Sequence, residues 1–153
     1  MSHYFFIQME QEPGTFSVAV VGSDREELKQ QVKGLRQLSE VNQLFCGEMA
    51  AWEKFSKKML PDLIIVNGVS HTRLIDLIVE HDTRSQVLPV VENLNIQEFR
   101  ELIYTGAAGY LLKRDSIDTL ISAVLNIKND RLGISPVISP TLVVVDKKSD
   151  INH

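Results

Sequence analysis

Extended and helical segments alternate along the chain. Phe16 to Val21 is an uninterrupted run of strand-favouring residues that ends at Gly22. Leu63 to Val66 is a continuous apolar run, which is typical of a strand whose two faces are both covered. Between such runs, apolar residues recur every three or four positions, as they do on the buried face of a helix. The pattern predicts five strand–helix pairs.

Strict alternation of strands and helices is typical of a parallel sheet with helices on both faces. The sequence therefore predicts an α/β fold, a doubly wound (βα)5 sheet, over residues 16–130. The predicted strands are 16–21, 43–47, 63–66, 87–91 and 109–112. The apolar faces of the five predicted helices are Leu28, Val32, Leu35 and Leu38; Trp52, Phe55 and Met59; Leu74, Leu77 and Ile78; Ile96, Phe99, Leu102 and Ile103; and Ile117, Leu120, Ile121, Val124 and Ile127.

Capping residues mark where several helices begin and end. Ser23 with Glu26 three residues later is the pattern of a capping box and predicts the start of the first helix. Gly106 is expected to end the fourth helix, as glycine often does at a helix C-terminus. The other predicted starts are Asn95 with Glu98, and Asp115 or Ser116.

Two segments lie outside the alternating unit. Residues 1–15 are expected to form an N-terminal arm or an extra strand. Residues 131–153 form a C-terminal extension whose polar end is predicted to be disordered. Its apolar run from Leu142 to Val145 is expected to pack against another surface.

Composition narrows the function classes. The chain has 153 residues, which predicts a single domain. Its net charge of −4 provides no global field for nucleic acid or an anionic membrane. No apolar run approaches the roughly 20 residues that cross a bilayer, and residues 1–15 are not expected to act as a signal peptide. We expect a cytoplasmic protein that makes no contact with a membrane and none with nucleic acid by itself.

Cysteine and histidine usage gives no catalytic or metal site. Cys46 is the single cysteine, and between strand-favouring residues it is expected to be a buried thiol. The histidines lack the spacing of metal ligands and are predicted to lie on the surface. A small lysine cluster is read as the solvated face of the second helix. These residues are His3, His71, His81 and His153, and Lys54, Lys57 and Lys58.

One string carries a family resemblance. Residues 106–113, Gly-Ala-Ala-Gly-Tyr-Leu-Leu-Lys, resemble the end of the fourth helix and the fifth strand of bacterial response-regulator receiver domains. The likeness is greatest to the subfamily that carries a C-terminal helix-turn-helix of the LuxR (NarL) type. Residues 61–66, Pro-Asp-Leu-Ile-Ile-Val, are similar to its third strand, and the likeness covers residues 16–140. It implies the flavodoxin-like receiver fold of CheY.

The same resemblance implies a phosphorylation site that this sequence does not complete. A working receiver has an aspartate phosphoacceptor at the end of the third strand, where this chain has Asn67. An amide cannot attack a phosphoryl donor as a carboxylate does. The acidic pair that would hold Mg²⁺ corresponds to Gly22 and Ser23, with Asp24 one position late.

Two further positions belong to the implied site. The hydroxyl residue that would sense a phosphoryl group corresponds to Val91, or to Glu92 if the register shifts by one. Lys113 is retained, and its ammonium is expected to bind loop carbonyls or Asn67. The resemblance thus implies a degenerate receiver that is not an enzyme and holds no metal or cofactor. The Asn67-Gly68 step is also expected to be prone to deamidation.

We interpret the chain as a pseudo-receiver, a signalling module that acts by protein contacts independently of phosphorylation. The context is two-component-type signal transduction or transcription regulation. The resemblance implies docking or dimerisation through the fourth helix, fifth strand and fifth helix, or through the first and fifth helices, and we expect the former. The partner is then another protein or a second copy, and the expected contacts are the exposed side of residues 116–128 with Phe99, Ile103, Tyr104 and Tyr110.

Two alternatives stay open. The chain could be the N-terminal regulatory domain of a LuxR-type transcription factor whose DNA-binding domain is absent from it. It could instead sense a small molecule at the open end of the sheet, where parallel α/β folds bind ligands. That end would gather Gly22, Asn67, Glu92 and Lys113.

Overall fold

A computed structural model describes residues 4–7, 14–58, 60–81 and 84–138. The strands are β1 Tyr4–Ile7, β2 Phe16–Val21, β3 Val41–Gly47, β4 Leu63–Asn67, β5 Gln86–Val91, β6 Gly109–Leu112 and β7 Gly133–Ile134. The helices are α1 Arg25–Leu35, α2 Met49–Phe55, α3 His71–His81, α4 Ile96–Thr105 and α5 Ile117–Lys128. Met59, His3, His153 and the run from Leu142 to Val145 lie outside the described residues.

The strands form one sheet in the order β1-β3-β2-β4-β5-β6-β7. All neighbouring strands are parallel except β1, which pairs antiparallel with β3. The five predicted strands thus form a parallel core in the order β3-β2-β4-β5-β6, and the predicted α/β class is confirmed. Tyr4–Ile7 adds a strand at one edge. β7 adds a strand at the other edge that the sequence pattern did not predict.

Helices cover both faces of the sheet. The face under α1 and α5 holds one apolar cluster, which includes Leu28, Ile65 and Val124. The opposite face, under α2, α3 and α4, has a larger aromatic content that includes Trp52 and Phe99. Burying each such side chain contributes on the order of 2 kcal/mol, so the two apolar layers supply most of the driving force for folding.

Most predicted helix ends are confirmed, and the first is wrong by one residue. The Asn95 side chain accepts a hydrogen bond from the Glu98 backbone N–H at 2.9 Å, and Ser116 caps α5 in the same way. Gly106 ends α4 with φ 122°. Asp24, not Ser23, caps α1, because one more residue stays extended after β2.

Four apolar positions are less buried than the predicted helical faces imply. Leu38 lies beyond the end of α1, where the chain has already turned toward β3. Ile96, in the first turn of α4, is exposed. Ile117 and Ile121 are half-buried on the side of α5 that packs against α1 at Gly34, where an added Cβ would overlap the Ile117 Cγ2 methyl. α2 also ends at Phe55, four residues before the predicted end.

No helix in the described part of the chain is both long enough and apolar enough to cross a membrane.

Candidate functional site

The carboxyl ends of the central strands meet at one edge of the sheet. β4 lies between β2 and β5, and β6 follows β5. This order brings together the residues that the sequence assigned to the site. Gly22 faces Asn67, and Lys113 lies near Glu92. In parallel α/β sheets this edge is where ligands bind.

Asn67, the last residue of β4, is closed off from solvent. Only 3% of the residue is exposed. Its Nδ2 donates to the Val21 carbonyl oxygen at 3.1 Å and to Gln31 Oε1 at 2.9 Å. Its Oδ1 accepts from Gln31 Nε2 at 2.8 Å. Because a backbone carbonyl only accepts, the bond to Val21 fixes which end of the amide is which. Every N–H of this side chain is used.

Gln31 is the site residue that sequence reasoning missed. It projects from α1 and is itself buried, and it exchanges two hydrogen bonds with Asn67. One signal could have found it. Gln31 stands three residues after Leu28 and directly before Val32, so it lies on the apolar face of its helix. A polar residue there must find a buried partner.

Gly22 leaves no room for a side chain beside this pair. A Cβ at position 22 would lie 2.9 Å from the Asn67 Cβ and 3.1 Å from a methyl of Leu28. Real Cβ atoms do not approach so closely in packed interiors, where any added volume displaces neighbours. An acidic side chain at position 22 is therefore incompatible with the present packing. Ser23, the next residue, is exposed.

Asp24 forms an exposed cluster with two other charged residues. Its carboxylate accepts from the Glu27 backbone N–H at 3.2 Å and from Lys113 Nζ at 3.3 Å. These two hydrogen bonds, in that order, lower the pKa of Asp24. Lys113 Nζ also lies 3.9 Å from Glu92, and its pKa is raised, first by the hydrogen bond to Asp24 and then by the charge of Glu92.

The predicted partner of Lys113 is therefore wrong. Its ammonium binds Asp24 rather than loop carbonyls or Asn67, because the Asn67 amide is already saturated and a carboxylate attracts a cation more strongly. Neither predicted sensor position carries a hydroxyl: Val91 is half-buried and Glu92 is exposed.

A cleft opens beside the buried amide pair. It has a volume of about 290 Å³ and lies between the N-terminal halves of α1 and α5. Its wall includes Gln31 and Leu120, and its rim carries Asp24, Glu27 and Lys113. Burial raises the pKa of Glu27. Within residues 14–58, 60–81 and 84–138, no three His, Cys, Asp or Glu side chains cluster in a way that could hold a metal ion.

Three of the four predicted interface residues lie in the core. Phe99, Ile103 and Tyr110 are buried, whereas Tyr104 is 59% exposed. The rings of Phe99 and Tyr110 pack edge to face at 5.2 Å, because α4 lies directly over β6. The Tyr110 hydroxyl accepts from the Asn95 N–H at 3.3 Å, and burial raises the pKa of this tyrosine. Of these four residues, Tyr104 alone is open to a partner, beside the exposed side of residues 116–128.

Cys46 lies where the sequence predicted it, whereas the described histidines are less exposed than predicted. Cys46 is buried as predicted, and burial raises the pKa of its thiol to about 12. His81 contradicts the surface prediction. It is buried because its ring stacks on Trp52, with Nδ1 2.8 Å from the Leu77 carbonyl oxygen. His71 is half-buried, with Nε2 3.1 Å from Glu101.

No protein-family model matches the chain. A curated relative is transcriptional regulatory protein LnrK of Bacillus subtilis (strain 168), with 25% identity over 139 residues. That match covers 81% of this chain and 59% of LnrK. The chain therefore spans about three-fifths of the length of the curated relative that it matches.

Solved structures of response regulators superpose on this chain over most of its length. The RcsB response regulator of Salmonella typhimurium superposes with a TM-score of 0.69 at 19% identity, covering 86% of this chain and 66% of that one. The non-phosphorylated receiver domain of RcsB from Escherichia coli gives 0.69 at 18% identity, over 80% and 98%. The receiver domain of the putative response regulator NarL from Mycobacterium tuberculosis gives 0.64 at 23% identity, over 78% and 100%.

The chain has the response-regulator receiver fold. Its match runs through almost all of each isolated receiver domain and about two-thirds of the longer RcsB chain from Salmonella typhimurium. In this receiver fold, β4 is the strand whose last residue the sequence resemblance equates with the phosphoacceptor. Asn67, whose amide is bonded to Gln31, is that last residue.

Proposed function

We propose that this chain is a pseudo-receiver, a regulatory module that works by protein–protein contacts and does not depend on aspartyl phosphorylation. The observation that carries the proposal is the amide pair of Asn67 and Gln31, buried where the family resemblance places the phosphoacceptor. We assign the module to two-component-type signal transduction or transcription regulation, in the cytoplasm, with another protein or a second copy as its partner.

The chemistry of the site supports loss of phosphotransfer. An amide is not a nucleophile toward a phosphoryl group, and Asn67 has no free N–H. Mg²⁺ prefers carboxylate and water oxygens, yet Gly22 leaves no space for a carboxylate and Asp24 already binds Lys113. The phosphoacceptor and the metal-binding acidic pair are therefore both replaced, although Lys113 is retained.

A role inside a transcription regulator is the second candidate. It is supported by the similarity to LnrK and by the superposition on RcsB. In that case the module governs the output of a DNA-binding domain and makes no direct DNA contact itself, in keeping with its net charge of −4.

A third candidate, a small-molecule sensor, is supported by the 290 Å³ cleft beside Gln31. Thermal-shift screening of the chain with nucleotides tests it, since a ligand of that cleft would raise the melting temperature.

The decisive experiment uses acetyl phosphate and beryllofluoride with Mg²⁺. We expect neither the intact mass nor the melting temperature of the chain to change, because the acceptor and both metal carboxylates are missing. A phosphorylatable receiver domain treated in parallel shows that the reagents are active. A Mg²⁺-dependent gain of one phosphoryl group would overturn the proposal.

A further inference from the structure

Cations line one side of α1. Arg25, Lys29, Lys33 and Arg36 follow one another at intervals of three or four residues, and all four are exposed. Lys29, Lys33 and Arg36 make no ion pair or hydrogen bond through their side chains in the part of the chain that the structure describes. This is an unusual concentration of unpaired positive charge on a chain whose net charge is −4.

These cations form the wall of a groove between α1 and β3. The groove has a volume of about 1280 Å³ and runs along the whole of α1, from Arg25 to Arg36. Its lining also includes apolar side chains, among them Val32 and Cys46, and a single carboxylate, Glu26. The groove is distinct from the cleft beside Gln31, which lies between α1 and α5.

The side-chain oxygen of Gln43, in the lining of the groove, has no hydrogen-bond donor. Gln43 Nε2 donates to the Val32 carbonyl oxygen at 3.0 Å, and this bond fixes the orientation of the amide. Its Oε1 is shielded from solvent and accepts no hydrogen bond. Asn42 Nδ2, in the same lining, is also buried without a hydrogen bond. Buried polar atoms are normally satisfied, so an occupant that offers both an N–H and an oxygen would satisfy this pair after a small side-chain movement.

We propose that this groove, lined by Lys29, Lys33, Arg36 and Gln43, binds an extended acidic peptide segment of a partner protein. The proposal rests on the proposed function, since it names a contact through which the module would act. Carboxylates of the peptide face the α1 cations, and a backbone N–H pairs with Gln43 Oε1 once that side chain has moved toward the groove.

The spacing of the cations fits alternating acidic residues. Lys29 and Lys33 are separated by one helical turn, about 6 Å along the axis, and Lys33 and Arg36 by about 4.5 Å. In an extended chain, alternate side chains on one side are about 6.6 Å apart. Long, flexible lysine and arginine side chains absorb the difference. Three acidic residues at alternate positions can therefore each reach a cation.

Nucleic acid fits this surface less well than a peptide does. Strong binding to a duplex needs many phosphate contacts, and the cations here form one row on an otherwise acidic chain. The rim of the neighbouring site also carries Asp24 and Glu92, which repel a phosphate backbone. An apolar lining suits the intervening side chains of a peptide rather than phosphates.

Fluorescence anisotropy of the full chain tests the proposal with a labelled seven-residue peptide that alternates Glu and Thr. We expect saturable binding that weakens between about 50 and 500 mM salt, because exposed charges are screened. Lys29→Glu with Lys33→Glu should weaken binding about tenfold or more. Lys57→Glu with Lys58→Glu is the matched control, since it changes the net charge equally at a different surface. It should change binding less than about twofold.

Three results would overturn the proposal: no binding at millimolar peptide, equal loss in both double variants, or competition by random duplex DNA at lower concentration than the peptide. Circular dichroism of each variant separates loss of the surface from loss of the fold. The phosphorylation experiment is independent of this one. Absent peptide binding with an unchanged mass under acetyl phosphate would reject the groove and leave the pseudo-receiver intact.

Discussion

Gln31 and Asn67 hold each other by two reciprocal hydrogen bonds of 2.8 and 2.9 Å between α1 and β4. The two residues are 36 positions apart in the chain, so their contact exists only in the folded protein. Neither amide has an alternative partner in water while the pair is buried. The amide pair therefore links α1 to β4, and we expect it to contribute to the free energy of unfolding.

Gln31→Ala should destabilise the fold by about 1–3 kcal/mol, because it leaves the Asn67 oxygen and one of its N–H groups buried without partners. Urea unfolding followed by circular dichroism measures the change. Gln30→Ala, at the exposed neighbouring position, should change the free energy of unfolding by less than about 0.5 kcal/mol. Equal effects of the two substitutions would show that the amide pair contributes nothing specific.

Asn67→Asp should fail to restore phosphorylation and should destabilise the fold at neutral pH. The new carboxylate would face the carbonyl oxygen of Val21 with no donor to offer it, in a buried position. Burial raises the pKa of a carboxyl, so the folded state would bind its proton more tightly than the unfolded chain.

The pH dependence of that variant follows from the sign of this shift. The loss of stability relative to the parent should be small below about pH 4 and should grow as the pH rises through the unfolded-state pKa of aspartate, about 3.9. Melting temperatures of both proteins from pH 3.5 to 7 measure it. Phosphorylation of Asn67→Asp at the rate of a working receiver would contradict the view that the whole site is degenerate.

The folded chain should resist deamidation at Asn67-Gly68, contrary to what the dipeptide alone suggests. Deamidation requires the Gly68 nitrogen to attack the Asn67 side-chain carbon with loss of ammonia. The Gly68 N–H donates to the Val90 carbonyl oxygen at 3.1 Å, and the Asn67 amide is fully bonded. Peptide mapping by mass spectrometry should find slow conversion in the native protein and faster conversion in urea. Equal rates would show that the hydrogen bonds do not protect the step.

Gly34→Ala should destabilise the chain by about 1–3 kcal/mol, although the same change in an exposed helix stabilises it by up to about 1 kcal/mol. An added Cβ at position 34 overlaps Ile117 on α5. Combining Gly34→Ala with Ile117→Ala should cost less than the sum of the two single changes, because the smaller side chain removes the overlap. A double-mutant cycle from urea unfolding measures this coupling, and strict additivity would exclude the contact.

Tyr104 is the remaining test of the predicted docking face. If light scattering finds a dimer, Tyr104→Ala with Ser122→Glu should shift it toward the monomer with an unchanged circular dichroism spectrum. Tyr104 is largely exposed on α4, and Ser122 is exposed on α5. Ala50→Glu, at an exposed position of α2, adds the same single negative charge on a different surface and is the matched control. An unchanged mass in the folded double variant would place the interface on another surface.

The sequence pattern predicted most of the fold because each strand and helix carries its own local signal. The run Leu63 to Val66 and the caps at Asn95 and Gly106 depend on neighbours within a few residues, and all three were confirmed. Helical periodicity also placed Phe99 on the apolar face of α4. It did not show that Phe99 lies under the helix and against Tyr110, because that depends on how α4 crosses the sheet.

The site was predicted in position but not in its contacts. Aligning strand ends placed Gly22, Asn67, Glu92 and Lys113 together, since parallel strands bring their carboxyl ends to one edge. The partners are set by side chains that come from distant elements. Lys113 donates a hydrogen bond to Asp24, and Asn67 exchanges hydrogen bonds with Gln31. Neither contact can be predicted from residue spacing within one element.

The two outermost strands have a consequence for solubility. β1 runs antiparallel along the outer side of β3, and β7 extends the sheet beyond β6 by only two residues. An exposed, long strand edge is a template on which other chains add as further strands and aggregate. Deleting residues 1–7 would uncover the apolar edge formed by Phe45 and Cys46, so the truncated chain should precipitate at concentrations where the whole chain stays dispersed.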